Sequence, residues 1–193
     1  STILLLKLSK EERTFRQMHT SMRYSLLALL LSFLLPVFPQ PSTPTFEDGM
    51  EGIQRMMVYL LHASPEERVA FGSTLFPSRE DCETIFHEDV CEKVYRYQRF
   101  LRRQTGIVVA PLTAQQTDFL IWAASTGELR TYKGEAQFFP GGYRELAPHM
   151  KKGITFYRIK FVQPGHKIGS AYDVLVYVNG NWRLFQRPWT VLF

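Results

Sequence analysis

The carboxylate with the most chemical promise in this chain is Asp173. It opens the run DVLVYV, which an Asn179-Gly180 pair joins to NWRLF. Asn-Gly accepts the positive φ angles of a type I′ turn and is the strongest short-range hairpin signal. The turn fixes a register in which Tyr177 faces Trp182, Leu175 faces Leu184 and Asp173 faces Gln186. Alternation along a strand puts these pairs on one surface, and Val176, Val174 and Tyr172, facing Arg183, Phe185 and Arg187, on the other. A carboxylate at the end of an apolar surface is poorly solvated when ionised, which raises its pKa towards that of a general base. Asp173 is therefore a candidate catalytic residue, with His149 or His166 in loops beside the hairpin as a partner in proton transfer. Leu175, Tyr177, Trp182, Leu184 and Gln186 form the matching candidate ligand-binding wall. The competing account makes Asp173 a solvated or Arg-paired strand end and leaves both histidines in exposed loops. Arg183 and Arg187, beside Tyr172 and Phe185, suit an acidic ligand or a plain solvated sheet face.

Other reactive residue types point less far. Cys82 and Cys91 suggest a disulfide if the chain reaches an oxidising compartment, two separate buried thiols if not. Only His87 lies near them, so a zinc site is not expected. The stretch YRYQRFLRR mixes cations with aromatics, as nucleic-acid contacts do, but reads more simply as a solvated helix face. Phe138-Phe139-Pro140-Gly141-Gly142-Tyr143 is a loop without the Lys-Ser/Thr that a phosphate-binding turn requires. HExxH, paired CxxC and glycine-rich dinucleotide motifs are absent from the sequence, and no cofactor or metal is implied.

The net charge of +5 overstates the basicity of the folded part. Residues 1–44 carry five basic and two acidic side chains, leaving 18 basic and 16 acidic ones in 45–193. So balanced a domain gives no general reason to bind nucleic acid or an anionic membrane. Residues 22–44 read as a signal peptide and Pro-rich linker: Met22, Arg23, an apolar run from Leu26 to Leu35, then Pro36, Pro39, Pro41 and Pro44. The run is short for a bilayer span, which takes about 20 residues. The expected address is exported, periplasmic or secreted, with membrane contact only through an uncleaved N-terminal segment. Residues 1–21 precede what looks like the initiator, Met22, and read as a mis-set start or read-through.

These residues need elements to hold them. Phe46, Met50, Ile53, Met57, Leu60 and Leu61 recur at helical spacing over 46–62. Ser64-Pro65-Glu66-Glu67 is a capping box opening a short helix, and Ser78 opens another that ends near Phe86. A longer helix is predicted from Glu88 to Arg103, stopped by Gly106. Thr117 to Ser125 reads as a strand in preference to a helix, turning at Thr126-Gly127 towards 128–132, and Arg144 to Lys151 allows one helical turn. Ile154 to Gln163 is a strand with Tyr157, Ile159 and Phe161 on one face and Phe156, Arg158 and Lys160 on the other. With the hairpin it makes a three-strand antiparallel meander.

Helices followed by antiparallel strands define an α+β domain over 45–193. The order resembles the cone-shaped fold shared by nuclear transport factor two, ketosteroid isomerase and scytalone dehydratase. The ending YDVLVYVNGNWRLFQRPW, with Gly180-Asn181-Trp182-Arg183, is similar to the last strands of small exported members. The resemblance implies N-terminal helices packed on a strongly curved antiparallel sheet around an apolar pocket; it transfers no catalytic residue. The favoured function is a non-enzymatic ligand-binding or interaction module for an unknown small molecule or protein, with a homodimer possible and nucleic acid not expected. The alternative is an isomerase- or hydrolase-like enzyme using Asp173 as general base in an apolar pocket.

Overall fold

The structure, a computed structural model, describes residues 43–193. The signal-peptide and read-through readings therefore lie outside the described residues, apart from the last two linker positions, Thr43 and Pro44. Asp48 caps the first helix, α1 (Gly49–His62), and α2 (Pro65–Thr74) opens on the Ser64–Glu67 capping box. A second box, Ser78 with Asp81, opens α3 (Arg79–Ile85), and α4 (Glu88–Thr105) ends at Gly106, whose φ is +65°. Each reciprocal box satisfies backbone N–H groups that a helix start would otherwise leave unpaired.

The predicted strand near 117 is β1 (Asp118–Ser125). The chain then enters a short helix, α5 (Thr126–Thr131), and not a second strand, because Ser125 and Glu128 form a third capping box. A 3₁₀ turn (Gly134–Phe138) leads to α6 (Gly142–Leu146), and a second 3₁₀ turn (Ala147–His149) comes directly after it. Then come β2 (Thr155–Val162), β3 (Gly169–Val178) and β4 (Asn181–Leu184), and a C-terminal 3₁₀ turn, Pro188–Leu192. The sheet is antiparallel and open, in the order β1-β2-β3-β4: the expected meander gains β1 as a fourth strand.

Both faces of this sheet are covered. Tyr157, Ile159, Phe161, Leu175, Trp182 and Leu184 pack against Ile53, Met56, Met57 and Leu60 of α1 and Phe71 of α2. Phe156, Val174, Val176 and Val178 pack on the other side with α3 and α4 (Cys82, Ile85, Val90, Val94) and α6 (Tyr143, Leu146). No helix among the described residues is long and apolar enough to cross a membrane.

Cys82 and Cys91 are free, and the predicted disulfide is not formed. Both side chains are buried in the core on the α3–α4 side, where cysteine acts as a small hydrophobe. The segment they would have closed is pinned by backbone bonds instead: Phe86 bridges Met150, His87 N–H donates to His149 O, and Lys151 N–H donates to Ile85 O. Burial pushes both thiols above their ordinary pKa.

Candidate functional site

The hairpin forms as its turn dictates. Asn179 and Gly180 have φ of 48° and 76°, and Leu175, Val176 and Tyr177 pair with Leu184, Arg183 and Trp182. Beyond Leu184 one more cross-strand bond is made, Phe185 N–H to Val174 O at 3.0 Å, and then the ladder stops, so the expected pairs Asp173–Gln186 and Tyr172–Arg187 are not made. The candidate ligand-binding wall is a filled core, since the apolar stripe of α1 covers Leu175, Trp182 and Leu184, each at most 4% exposed. Tyr177 is half-buried, stacks edge-on against Trp182 and lines a shallow groove of about 320 Å³ with Tyr157 and Asp48. Gln186 sits apart, its backbone bound at both ends by the side chain of Gln98 on α4.

Asp173 is not on that surface either. Tyr157 pairs with Leu175, yet Arg158 pairs with Asp173, so Val174 is an extra residue: a β-bulge. The Asp173–Val174 peptide there is cis. A one-residue slip sends every earlier side chain to the opposite face. Tyr172 therefore joins the α1 side, where its hydroxyl bonds both N–H and O of Ala110. Asp173 turns to the other side, into an aromatic and cationic cluster.

In that cluster Arg158 Nε lies 2.6 Å from Asp173 Oδ1, at an angle outside hydrogen-bonding range, so both atoms are buried in an ion pair without an aligned hydrogen bond. The phenol of Tyr143, fully buried, likewise has no hydrogen-bond partner among the described residues. Burial raises the Asp173 carboxyl above its usual range, an effect that Arg158, Lys160 and Arg187 oppose but do not cancel. Burial also raises Tyr143, and the Asp173 charge adds to it. Trp122 roofs the site: Phe138 stacks on it at 5.1 Å, and Arg158 and Lys160 lie 5.9 and 5.4 Å from its ring centre. Trp189 closes the side, edge-on to Tyr143 at 4.7 Å and seated where any side chain at Gly142 would stand.

Neither histidine joins this cluster among the described contacts. His149 Nδ1 contacts Asp89 Oδ2 at 2.6 Å, tying the start of α4 to the turn before β2, and His166 stands exposed in the turn between β2 and β3. The proton-transfer dyad expected of Asp173 is not assembled. The bulge that causes this has no signature in the sequence. Tyr143 lies in a segment that reads only as a loop.

A second constellation lies on α4. Phe76, Pro77 and Arg79 at the start of α3, with Tyr95, Gln98, Arg99, Arg102 and Arg103 on α4, line a groove of about 620 Å³. Arg79 is neutralised by Glu83 and Glu92. Arg99 and Arg102 lie over the rings of Tyr95 and Phe76, at 5.6 and 4.9 Å, and with Arg103 have no carboxylate within ion-pair reach among the described residues. Such a guanidinium is held in place by its ring while its donors stay free for a ligand. This is the YRYQRFLRR stretch, whose cations the sequence assigns to solvent. Its groove appears only when the turn at Phe76 is folded against it.

No family model, curated protein or solved structure matches this chain.

Proposed function

We propose that this chain is a non-enzymatic interaction module that docks an acidic segment of a partner protein in the arginine groove of α4. The observation that carries the reading is the trio Arg99, Arg102 and Arg103. They share one groove with no carboxylate in ion-pair reach among the described residues, and two are held against aromatic rings. Planar guanidinium groups bind carboxylates in two-point fashion, and pre-ordered ones lose less entropy in doing so. The near balance of 18 basic and 16 acidic residues in 45–193 confines the positive field to a local patch, which suits a short acidic segment better than a long polyanion. The enzyme reading loses support, because Asp173 is paired with Arg158 and the wall expected to line a pocket is packed by α1.

Two wider readings belong to the same proposal. The apolar run and Pro-rich exit of 22–44 support export, and the helices-then-sheet order with its Gly-Asn-Trp-Arg hairpin supports kinship with the cone-shaped family. A strongly curved sheet is part of that kinship and goes beyond four open antiparallel strands.

The test is fluorescence anisotropy with a fluorescein-labelled oligo-glutamate peptide. Replacing Arg99 and Arg102 by Glu should weaken binding at least tenfold, about 1.4 kcal/mol, and added salt should weaken wild-type binding. No binding by the wild-type protein would overturn the reading. Tighter binding of single-stranded DNA than of the peptide would replace the acidic segment with nucleic acid.

A further inference from the structure

The positive course does not end with α4. Gln98, 3% exposed, lines the arginine groove and reaches across to the chain after β4. Its Nε2 donates to Gln186 O at 2.9 Å and its Oε1 accepts from Gln186 N–H at 3.0 Å. The next residue, Arg187, is exposed, and its charge acts on Asp173. Asp173 in turn meets Arg158, and Arg158 and Lys160 flank Trp122. A cationic course therefore runs from Arg102 by way of the exposed Arg187 to Arg158 and Lys160, and Asp173 is the carboxylate set into its far end.

Two observations suggest what that end does. Arg158 offers Asp173 only a misaligned Nε, so the pair falls short of the two-point geometry that guanidinium and carboxylate groups favour. Beside it, the phenol of Tyr143 is fully buried in the same core cluster as Val174, the residue after Asp173, and has no hydrogen-bond partner among the described residues. A buried donor without an acceptor is costly, and it is satisfied if a carboxylate turns to it. The stacked pair Trp122 and Phe138, the latter 50% exposed, supplies an apolar wall next to the cations.

We propose that the acidic segment continues from the groove across Arg187 to Arg158 and Trp122, and that Asp173 is a built-in competitor for the carboxylate that docks on Arg158. The inference rests on the acidic-segment reading of the groove. On docking, the incoming carboxylate takes the guanidinium of Arg158, and Asp173 shifts to accept a hydrogen bond from the Tyr143 hydroxyl. No proton or covalent bond changes hands. Asp173 thereby selects for segments long enough, and acidic enough at their far end, to displace it.

Two labelled oligo-glutamates separate the parts: one of about five residues, sufficient for the groove, and one of about fifteen, since an extended chain covers roughly 3.3 Å per residue. The wild-type protein should bind the longer one more tightly. Asp173→Asn should tighten the longer peptide at least threefold and leave the shorter one unchanged. Arg187→Glu, at an exposed position, should weaken only the longer peptide, and Arg102→Glu should weaken both. If Arg102→Glu weakens both peptides while Asp173→Asn and Arg187→Glu leave the longer one as in wild type, the competitor role is overturned and the groove stands. If neither peptide binds the wild-type protein, both proposals fall.

Discussion

Two arginine–aspartate pairs in this domain have the same Nε-to-Oδ separation of 2.6 Å, Arg183 with Asp81 and Arg158 with Asp173, yet they are built differently. Asp81 accepts from Arg183 Nε, from Asn179 Nδ2 at 2.9 Å and from the Ser78 N–H at 2.8 Å, while Arg183 Nη1 also donates to Thr74 O at 2.6 Å. Asp173 has Arg158 as its one ion-pair partner among the described residues, misaligned. Burial pushes both carboxyls up. For Asp81 the hydrogen bonds of Ser78, Arg183 and Asn179 outweigh it and hold the group below the usual range; for Asp173 burial wins. The separation of an ion pair therefore says little about its worth; the count of aligned hydrogen bonds around it decides. The first pair fastens the start of α3 to the hairpin. The second is left partly unmet, which is the condition in which a ligand has something to gain.

The largest expected difference is in stability. Arg183→Met leaves Asp81, with its side chain 2% exposed, charged and without its main partner, and such a break costs about 3–5 kcal/mol. Arg158→Met leaves a carboxylate that burial already holds above its usual range and that neutralises readily by taking up a proton, for a loss of about 1 kcal/mol or less. Urea denaturation of the two variants measures this directly. Equal losses would erase the distinction between the pairs.

A smaller effect, on the order of 1 kcal/mol, separates the pairs by sign when pH is lowered. Asp81 titrates below the ordinary carboxylate value in the folded state, so its contribution is present above that value and lost as pH falls through its folded pKa. Asp173 titrates above the ordinary value, so the folded protein takes up the proton first. Its contribution is complete below the unfolded pKa of about 3.9 and is lost as pH rises through its folded pKa. Between pH 7 and about pH 3, below the unfolded carboxylate value, Asp81→Asn should lose less stability than wild type, and Asp173→Asn should lose more. Urea midpoints at the two pH values that moved in the same direction for both variants would contradict the assignment.

Legibility in the sequence divides along the same line. Features written in a few adjacent residues are legible: the boxes at Ser64 and Ser78, the stop at Gly106, the Asn179-Gly180 turn and the register as far as Leu175. The box at Ser125 is equally local, but a strand leading into it hides it. Asp81 and Arg183 lie in separate elements joined only by folding, so no spacing announces their pairing. Asp173 stands out for the right physical reason, partial burial, but alternation sets it on the wrong face, because alternation assumes an unbroken ladder and Val174 breaks it. The disulfide expectation fails where backbone bonds around Phe86 already hold the segment.

The smallest effect carries the contrast down to a single hydroxyl. Tyr172 and Tyr143 both reach into covered parts of the domain, but Tyr172 Oη donates to Ala110 O at 2.8 Å and accepts from its N–H at 3.2 Å, while Tyr143 Oη has no partner among the described residues. Removing a satisfied hydroxyl strands its partner, and removing an unsatisfied one relieves a desolvation cost. Tyr172→Phe should therefore lose about 1 kcal/mol, and Tyr143→Phe should be neutral or gain up to about 1 kcal/mol, in thermal or urea unfolding. A clear loss for Tyr143→Phe would mean that its phenol is bonded in the folded state and is not held for another group. If instead the variant is as stable as wild type, or more so, and yet binds the longer acidic peptide less well, the hydroxyl is kept at the expense of stability because Asp173 needs it when displaced. A residue that served packing alone would not separate the two measurements.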